Sequence, residues 1–187
     1  MMISVMEQKG STTMTTERLS LMTCYSGWDT YQISLARTVA RLTHEQLSWR
    51  PTQEHRSVGE LVHHIIIEGR IAWIGDVLGE GSAEVKAWPT TPAVHEDAVE
   101  LVKGLETSWQ MIEDALTMWS TADLAQTYSI TYNGKNHLIT RQWVIWHVLS
   151  HDTHHGGELT LMLGMQGIAL PELGEGGHLA ERAPLAE

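Results

Sequence analysis

The 187-residue sequence has no phenylalanine, a single cysteine and about half as many basic as acidic residues. Eight tryptophans must therefore supply most of the aromatic packing. The lone Cys24 excludes an intrachain disulfide and a cysteine-rich zinc site, and we expect it to be buried and inert because no neighbouring base would activate its thiol. A formal net charge of −11 argues against nucleic acid as a partner, because such binding needs clustered Lys and Arg.

Long apolar runs are also missing from the sequence. No segment approaches the roughly 20 apolar residues of a membrane span, and residues 1–16 lack the apolar run of a signal peptide. We therefore expect a cytoplasmic protein that does not bind membranes. The length suits one domain with a substantial core, which we place at residues 17–167, between a flexible lead-in (1–16) and a C-terminal tail (168–187).

Hydrophobic periodicity predicts four long helices. They run from Thr15 or Thr16 to about Leu42, from Ser57 to about Leu78, from about Val94 to Met118, and from Thr140 to Leu163. Before the last helix, alternating residues flank Asn133-Gly134, which predicts a short hairpin or an extended loop over residues 127–140. We expect Tyr132 and His137 to lie on its surface, although both could face a cleft. In the long connection between the second and third helices, we expect Trp88 to anchor the loop.

The last predicted helix carries four of the eleven histidines. Because residues four apart share a helix face, His147, His151 and His155 form one column, which Glu158 extends. Two imidazoles at this spacing can bind one metal ion, and a catalytic zinc-type site needs a third protein ligand and an open position. Since a chain with this many histidines also acquires such pairs by chance, buried core histidines are the alternative interpretation.

The same helix has two further features that can be tested. An apolar stripe is predicted to face the core, formed by Trp143, Trp146, Leu149, Leu159, Met162 and Leu163. The pair Gly156-Gly157 costs roughly 1 kcal/mol per glycine relative to alanine, which indicates a close approach of the backbone to another group.

The third metal ligand is expected from the second helix, where His63 and His64 interrupt an apolar run. Glu60 and Glu68 lie four residues before and after His64, so either carboxylate could orient its ring. Glu60 could instead cap the helix, since it occupies the third helical position.

The segment from His151 to His155 also fits H-D-x-x-H, one methylene short of the H-E-x-x-H signature of zinc proteases. Asp152 is shorter than the glutamate that acts as general base in that signature. The only downstream candidate for a third ligand is His178, in a glycine-rich tail. The protease interpretation is therefore the weaker one.

Ser57-x6-His64 on one helix, followed by Trp-His-x3-His-Asp-x-His-His-x-Gly-Glu on another, resembles the DinB/YfiT-like family of metal-binding four-helix-bundle proteins. The resemblance extends from about Arg18 to Gly167. It implies an all-α, up-and-down-type four-helix bundle, with a short hairpin or extended loop before the last helix. It also implies one divalent transition metal ion on His64, His151 and His155, with zinc first and nickel, iron or manganese as alternatives. The sequence departs from the family at Gly156, where arginine is frequent.

Two classes of function remain open at this point. The resemblance implies a metal-dependent enzyme acting on a small molecule, in the manner of thiol S-transferases that use low-molecular-weight thiols or of metal-dependent hydrolases. Glu60, Glu68 or Asp152 would then orient the ligands or shuttle protons. The alternative is a non-catalytic helical-bundle dimer with a structural metal or a ligand- or partner-binding role. A fourth ligand, Glu158 or His147, would close the site and favour that alternative. A homodimer is expected in either case.

Overall fold

The structure is a computed structural model that describes residues 20–89 and 92–168. The predicted lead-in, the cap at Thr15 or Thr16 and all of the predicted tail except Ile168 lie outside the described residues. The described part is mostly helical and includes one two-stranded hairpin.

The described residues contain seven α-helices, one π-helical segment, two 3-10 turns and two strands. The α-helices are α1 (Leu21–Cys24), α2 (Trp28–Val39), α3 (His44–Ser48), α4 (Val58–His64), α5 (Ala83–Lys86), α6 (Ala98–Met118) and α7 (Arg141–Met165). The π-helical segment Ile65–Val77 continues α4, and the 3-10 turns are Pro92–Glu96 and Thr121–Ala125. The strands are β1 (Thr127–Tyr132) and β2 (Lys135–Thr140).

The first predicted helix is divided into two. Residues 25–27 separate α1 from α2, and Gly27 has a φ of 94°, which a continuing α-helix does not adopt. The predicted inward residues of α2 are buried, including Trp28, Tyr31 and Leu35. Cys24, however, is exposed, so the prediction of a buried thiol is wrong. Its assignment to the core assumed a continuous helical phase that the break interrupts.

The second predicted helix begins where the sequence indicates. The Ser57 hydroxyl accepts a hydrogen bond from the Glu60 backbone N–H at 3.2 Å, and Glu60 Oε2 accepts one from the Ser57 backbone N–H at 2.7 Å. This reciprocal pair is a capping box. Beyond His64 the helix widens into the π-helical segment, which hydrophobic periodicity at the α-helical spacing does not predict.

The core forms where α6 packs against α2 and the π-helical segment, and where α7 packs against that segment and α4. A buried polar network lies among these helices. Arg70 and Asp152 are both fully buried, and Arg70 Nη2 donates to Asp152 Oδ2 at 2.7 Å. Arg70 Nη1 also donates to Gln32 Oε1 at 2.6 Å, and Trp28 Nε1 donates to Asp152 Oδ2 at 2.9 Å. Because burying an unpaired charge is costly, this network fixes how α2, α7 and the π-helical segment meet.

The last helix begins at its predicted cap, where the Thr140 hydroxyl accepts from the Trp143 backbone N–H at 3.1 Å. The predicted apolar stripe is correct for Leu159, Met162 and Leu163, which are buried, and wrong for the first turns. There Trp143 and Trp146 are 41% and 64% exposed. The positions that face the core are Val144, Ile145 and Val148. The bulky indoles suggested an inward face, whereas the smaller aliphatic residues fill the space between the helices.

Gly156 makes the close approach that the sequence predicts. A Cβ atom there would overlap the phenol of Tyr31, whose hydroxyl donates to the Asp152 carbonyl at 2.6 Å. Gly157 has open space around the corresponding position, so only the first glycine of the pair is explained by packing.

The predicted hairpin is present, and its antiparallel register pairs Thr127 with Thr140 and Tyr132 with Lys135. Asn133 and Gly134 form the turn, both with positive φ. In the connection after the π-helical segment, Trp88 is buried against the backbone of Gly104, in agreement with the predicted anchor. Within the described ranges, no helix is both long enough and apolar enough to cross a membrane.

Candidate metal centre

Three histidines from two helices converge at one point. His64 is the last residue of α4, and His151 and His155 lie one turn apart on α7. One ring nitrogen of each lies within 4.8 Å of those of the other two. The Nε2 atoms of His64 and His151 are 3.1 Å apart. The structure therefore brings together the three histidines that the family resemblance implies as ligands.

A carboxylate contacts the far nitrogen of two of these rings. Glu68 Oε2 lies 2.9 Å from His64 Nδ1, and Glu158 Oε2 lies 2.9 Å from His155 Nδ1. The contact at His155 is a hydrogen bond, which favours the tautomer that carries its proton on Nδ1 and leaves the Nε2 lone pair for a metal ion. The contact at His64 is within ion-pair distance but lacks hydrogen-bond alignment. Glu158 lies on the same helix as His155, and Glu68 lies in the π-helical segment that continues the helix of His64.

The third ring, that of His151, is held by backbone rather than by a carboxylate. A Cβ atom at Gly69, in the π-helical segment, would lie 2.5 Å from His151 Nδ1 and 2.7 Å from its Cε1. Any larger residue at position 69 would therefore displace the ring. His151 Nδ1 is buried and has no hydrogen-bond partner among the described residues.

The surroundings favour neutral imidazoles, the form that binds metal ions. Burial, reinforced by the neighbouring histidines, lowers the pKa of His151 to about 3. Burial also lowers the pKa of His155, although the adjacent Glu158 opposes the shift.

The donor set fits a divalent transition metal ion. Imidazole is a preferred ligand of zinc, nickel and iron. Two Nε2 atoms bound tetrahedrally at zinc–nitrogen distances would lie roughly 3.3 Å apart, and those of His64 and His151 are 3.1 Å apart. Three protein ligands leave at least one further position for water or substrate.

A cleft of about 660 Å³ opens onto the three histidines, a volume within the usual range of small-molecule sites. Trp73, Trp143 and His147 form one wall, in which the ring of His147 stacks on Trp143 with centroids 4.9 Å apart. Another part of the cleft lining belongs to the hairpin and includes Tyr132 and His137. Their predicted placement on the surface is thus incomplete, because both side chains also line the cleft.

The remaining sequence candidates lie away from the point of convergence. The carboxylate of Glu60 binds the Ser57 backbone N–H and Arg50 Nη2, in agreement with the capping alternative. Burial alone would raise the pKa of Glu60, but these two donors lower it overall. Asp152 pairs with Arg70 and Trp28, an arrangement that favours a role in the core.

Helices α4 and α7 carry three further histidines, none of which belongs to the group of three that converges. The ring of His63 packs against His95 and Trp88, which supports the choice of His64 over its neighbour. The ring of His147 is 6.3 Å from that of His151, and His147 does not belong to the converging group. His154 is exposed and approaches a ligand-forming set only together with His155 and Glu158.

Sequence reasoning missed Gly69, Trp73 and most of the hairpin wall. A glycine one residue after Glu68, inside an apolar helix, was a signal for close approach, but nothing in the sequence paired it with His151. The hairpin face could be read from the alternation of β1, whereas its position over the histidines depends on tertiary packing.

The family comparison agrees with this geometry. The sequence model of the DinB superfamily matches residues 30–159. The chain belongs to the DinB superfamily.

Among solved structures, the chain is similar to a DinB-like protein from Bacillus cereus ATCC 10987, with a TM-score of 0.63 and 20% sequence identity. The alignment covers 82% of this chain and 97% of the Bacillus chain. At this identity the likeness establishes the fold alone. No curated protein matches the chain.

Proposed function

We propose that this DinB-superfamily protein is a metal-dependent enzyme that holds one divalent transition metal ion on His64, His151 and His155. Zinc is the first choice for three imidazoles, with nickel, iron and manganese as alternatives. The observation that carries the proposal is the convergence of these three rings at a cleft large enough for a small molecule.

A divalent ion held by three neutral imidazoles supplies Lewis acidity, which generates a hydroxide or a thiolate at neutral pH. The reaction would then be hydrolase-like or thiol S-transferase-like. Glu68 lines the cleft and its side chain is 64% exposed. It can therefore orient His64 and also accept a proton from a group entering the cleft. Glu158 orients His155 from outside the cleft lining.

The substrate in this proposal is a small molecule, for which a low-molecular-weight thiol is one candidate. The walls of the cleft come from α7, the π-helical segment and the hairpin. Differences in substrate between relatives would therefore arise from Trp73, Trp143 and the hairpin rather than from the three ligands.

The proposal includes an up-and-down four-helix bundle, a homodimer and a cytoplasmic location. Its long helical units would be α2, α4 with the π-helical segment, α6 and α7, which pack on one another. The exposed thiol of Cys24 is compatible with a reducing compartment.

A non-catalytic bundle with a structural metal is the competing function, and it would need a fourth protein ligand. Glu158 contacts the far nitrogen of His155, and His147 stacks on Trp143 and packs at a tilt against Trp73. Since both side chains are engaged in other contacts, the open three-histidine site and hence catalysis are favoured.

The test is elemental analysis of the protein purified without a histidine tag, for the wild type and for His151→Ala. We expect about one transition metal ion per chain in the wild type and none in the variant. Absence of metal from the wild type, even after reconstitution, would overturn the proposal and leave the histidines as core residues.

A further inference from the structure

The walls of the cleft carry little charge. Glu68 is the only Asp, Glu, Lys or Arg among its described lining residues, and its carboxylate is already paired with His64. Lys135 pairs with Tyr132 beside the turn and shares its face of the hairpin, but it is not among the residues that line the cleft. An anionic substrate tail would therefore meet no fixed positive charge there.

Apolar surface lines the cleft instead. Trp143 and Tyr132 are 41% and 61% exposed, and both belong to the cleft walls. Ile130 and Ile139 lie on the same face of the hairpin as Tyr132 and also line the cleft. Exposed apolar surface concentrated around one concave site is typical of a ligand-binding groove. The stacked rings of Trp143 and His147 present a flat face, against which another flat apolar group can pack.

We propose that the cleft binds the uncharged, apolar body of a substrate whose single metal-binding group faces His64, His151 and His155. An aromatic ring fits best, between the Trp143–His147 wall and the hairpin. A substrate with a phosphate, sulfonate or carboxylate tail is disfavoured, because no Lys or Arg among the described lining residues would compensate its desolvation. This inference deepens the proposed function and rests on it for the orientation of the substrate, though not for the apolar character of the cleft.

Two thiols that differ only in the tail provide the test: 3-phenylpropane-1-thiol and 3-mercaptopropane-1-sulfonate. Each is titrated into the cobalt(II)-loaded protein, and the thiolate-to-cobalt charge-transfer absorption gives its affinity. We expect the phenyl compound to bind at least about tenfold more tightly, since a buried ring contributes more than about 1.4 kcal/mol. Equal affinities, or tighter binding of the sulfonate, would overturn the inference while leaving the metal site intact.

A charge introduced into the wall tests the location of the tail. Tyr132→Arg, on the hairpin face that lines the cleft, should reduce the preference for the phenyl thiol severalfold by attracting the sulfonate. Val99→Arg is the matched control, because Val99 on α6 is 75% exposed and does not line the cleft. An equal effect of both substitutions would show that the tail does not lie against the hairpin, and would overturn the inference.

A third measurement separates this inference from the proposed function. Saturation-transfer NMR with the metal-free protein uses 3-phenylpropan-1-ol, which has no thiol. Binding that is lost in Tyr132→Arg and kept in Val99→Arg supports an apolar cleft even if no metal were found. Absence of binding to the metal-free protein, together with equal affinities for the two thiols, would reject the apolar cleft without affecting the metal site.

Discussion

The Nε2 atoms of His64 and His151 lie 3.1 Å apart although 87 positions separate the two residues in the chain. Two neutral imidazoles can share one hydrogen bond at that distance, or both can direct lone pairs at one metal ion. The hydrogen bond joins only two of the three rings, whereas a metal ion can bind all three, because one nitrogen of each lies within 4.8 Å of those of the other two.

The neighbouring residues His63 and His64 provide the sharpest test of the ligand set. His64→Ala should abolish metal binding, because only two of the three ligands would remain, both on α7. His63→Ala should leave the metal content at about one ion per chain, since the ring of His63 faces Trp88 and His95. Elemental analysis of both variants checks this, and the reverse pattern would mean that the ligand comes from the neighbouring position.

The two orienting carboxylates should tune metal affinity without supplying a bond to the ion. Glu68→Gln and Glu158→Gln are each expected to weaken metal binding by about 10- to 100-fold, because the amide holds the Nδ1 proton less strongly. A competition titration with a chelator measures the change.

Glu60→Gln is the matched control for these substitutions. Its carboxylate is committed to Ser57 and Arg50, so metal affinity should stay unchanged while the free energy of unfolding falls by up to about 1 kcal/mol. A loss of metal affinity in Glu60→Gln equal to that in Glu68→Gln would contradict the placement of these two groups.

Removal of metal should leave a protein that is sensitive to acid. The pKa of His151 is lowered to about 3 by burial and by neighbouring histidines, from about 6.5 in an unfolded chain. Between those two values the unfolded chain binds a proton that the folded chain does not. The free energy of unfolding of the metal-free protein should therefore decrease as the pH falls below about 6.5, and continue to decrease until about pH 3.

Denaturant unfolding of the metal-free protein from about pH 7 to about pH 4 measures this dependence. His151→Gln is the control, since it removes one titrating group and should make the slope shallower, while His155, whose pKa burial also lowers, keeps part of it. An equal slope in the wild type and in His151→Gln would show that His151 does not contribute. With metal present, the same protons compete with the ion, and metal content should fall below about pH 6.

Gly69 should be required for the metal site rather than for the fold. In Gly69→Ala the new Cβ would lie 2.5 Å from His151 Nδ1, so the ring must move away from the other two ligands. We expect metal affinity to fall by at least about 100-fold, while circular dichroism still reports a helical protein. Gly157→Ala is the control, because that position on α7 is open. It should bind metal normally and gain up to about 1 kcal/mol of stability.

Some of these structural features can be predicted from the sequence and others cannot. The caps at Ser57 and Thr140, the turn at Asn133 and the three histidines that converge were all predictable, because each depends on local spacing or on a motif. The break before α2 and the π-helical segment were not predictable. Apolar periodicity indicates which face of a helix is buried, but not where the helix breaks or changes from α to π. Cys24 and Trp146 were assigned to the core by that same periodicity and are exposed.

At the candidate metal site, too, the residues set by local patterns were predictable and those set by tertiary packing were not. His151 and His155 follow from spacing along one helix, and His64 followed from the family pattern. The contact of Gly69 with His151 and the hairpin wall of the cleft depend on how separate elements pack, which a single sequence does not encode in any local pattern. Asp152 was a candidate for proton transfer or ligand orientation because it follows His151 in the sequence. In the structure it pairs with Arg70, a fully buried residue of the π-helical segment.

The ion pair between Arg70 and Asp152 should dominate the stability of the fold. Asp152→Asn keeps the shape of the side chain but leaves the fully buried Arg70 without a counter-charge, which is expected to cost about 3–5 kcal/mol of unfolding free energy. Asp114→Asn is the control, since Asp114 lies exposed on α6 and bonds only Gln110 among the described residues. That change should stay within about 0.5 kcal/mol.

The double variant Arg70→Met/Asp152→Leu should be more stable than Asp152→Asn, because removing both charges removes the uncompensated one. Chemical denaturation of the three variants measures these differences. If Asp152→Asn unfolded at the same denaturant concentration as Asp114→Asn, the buried pair would not be what joins α7 to the π-helical segment. The placement of His151 against Gly69 would then have to depend on the apolar contacts of α7 alone.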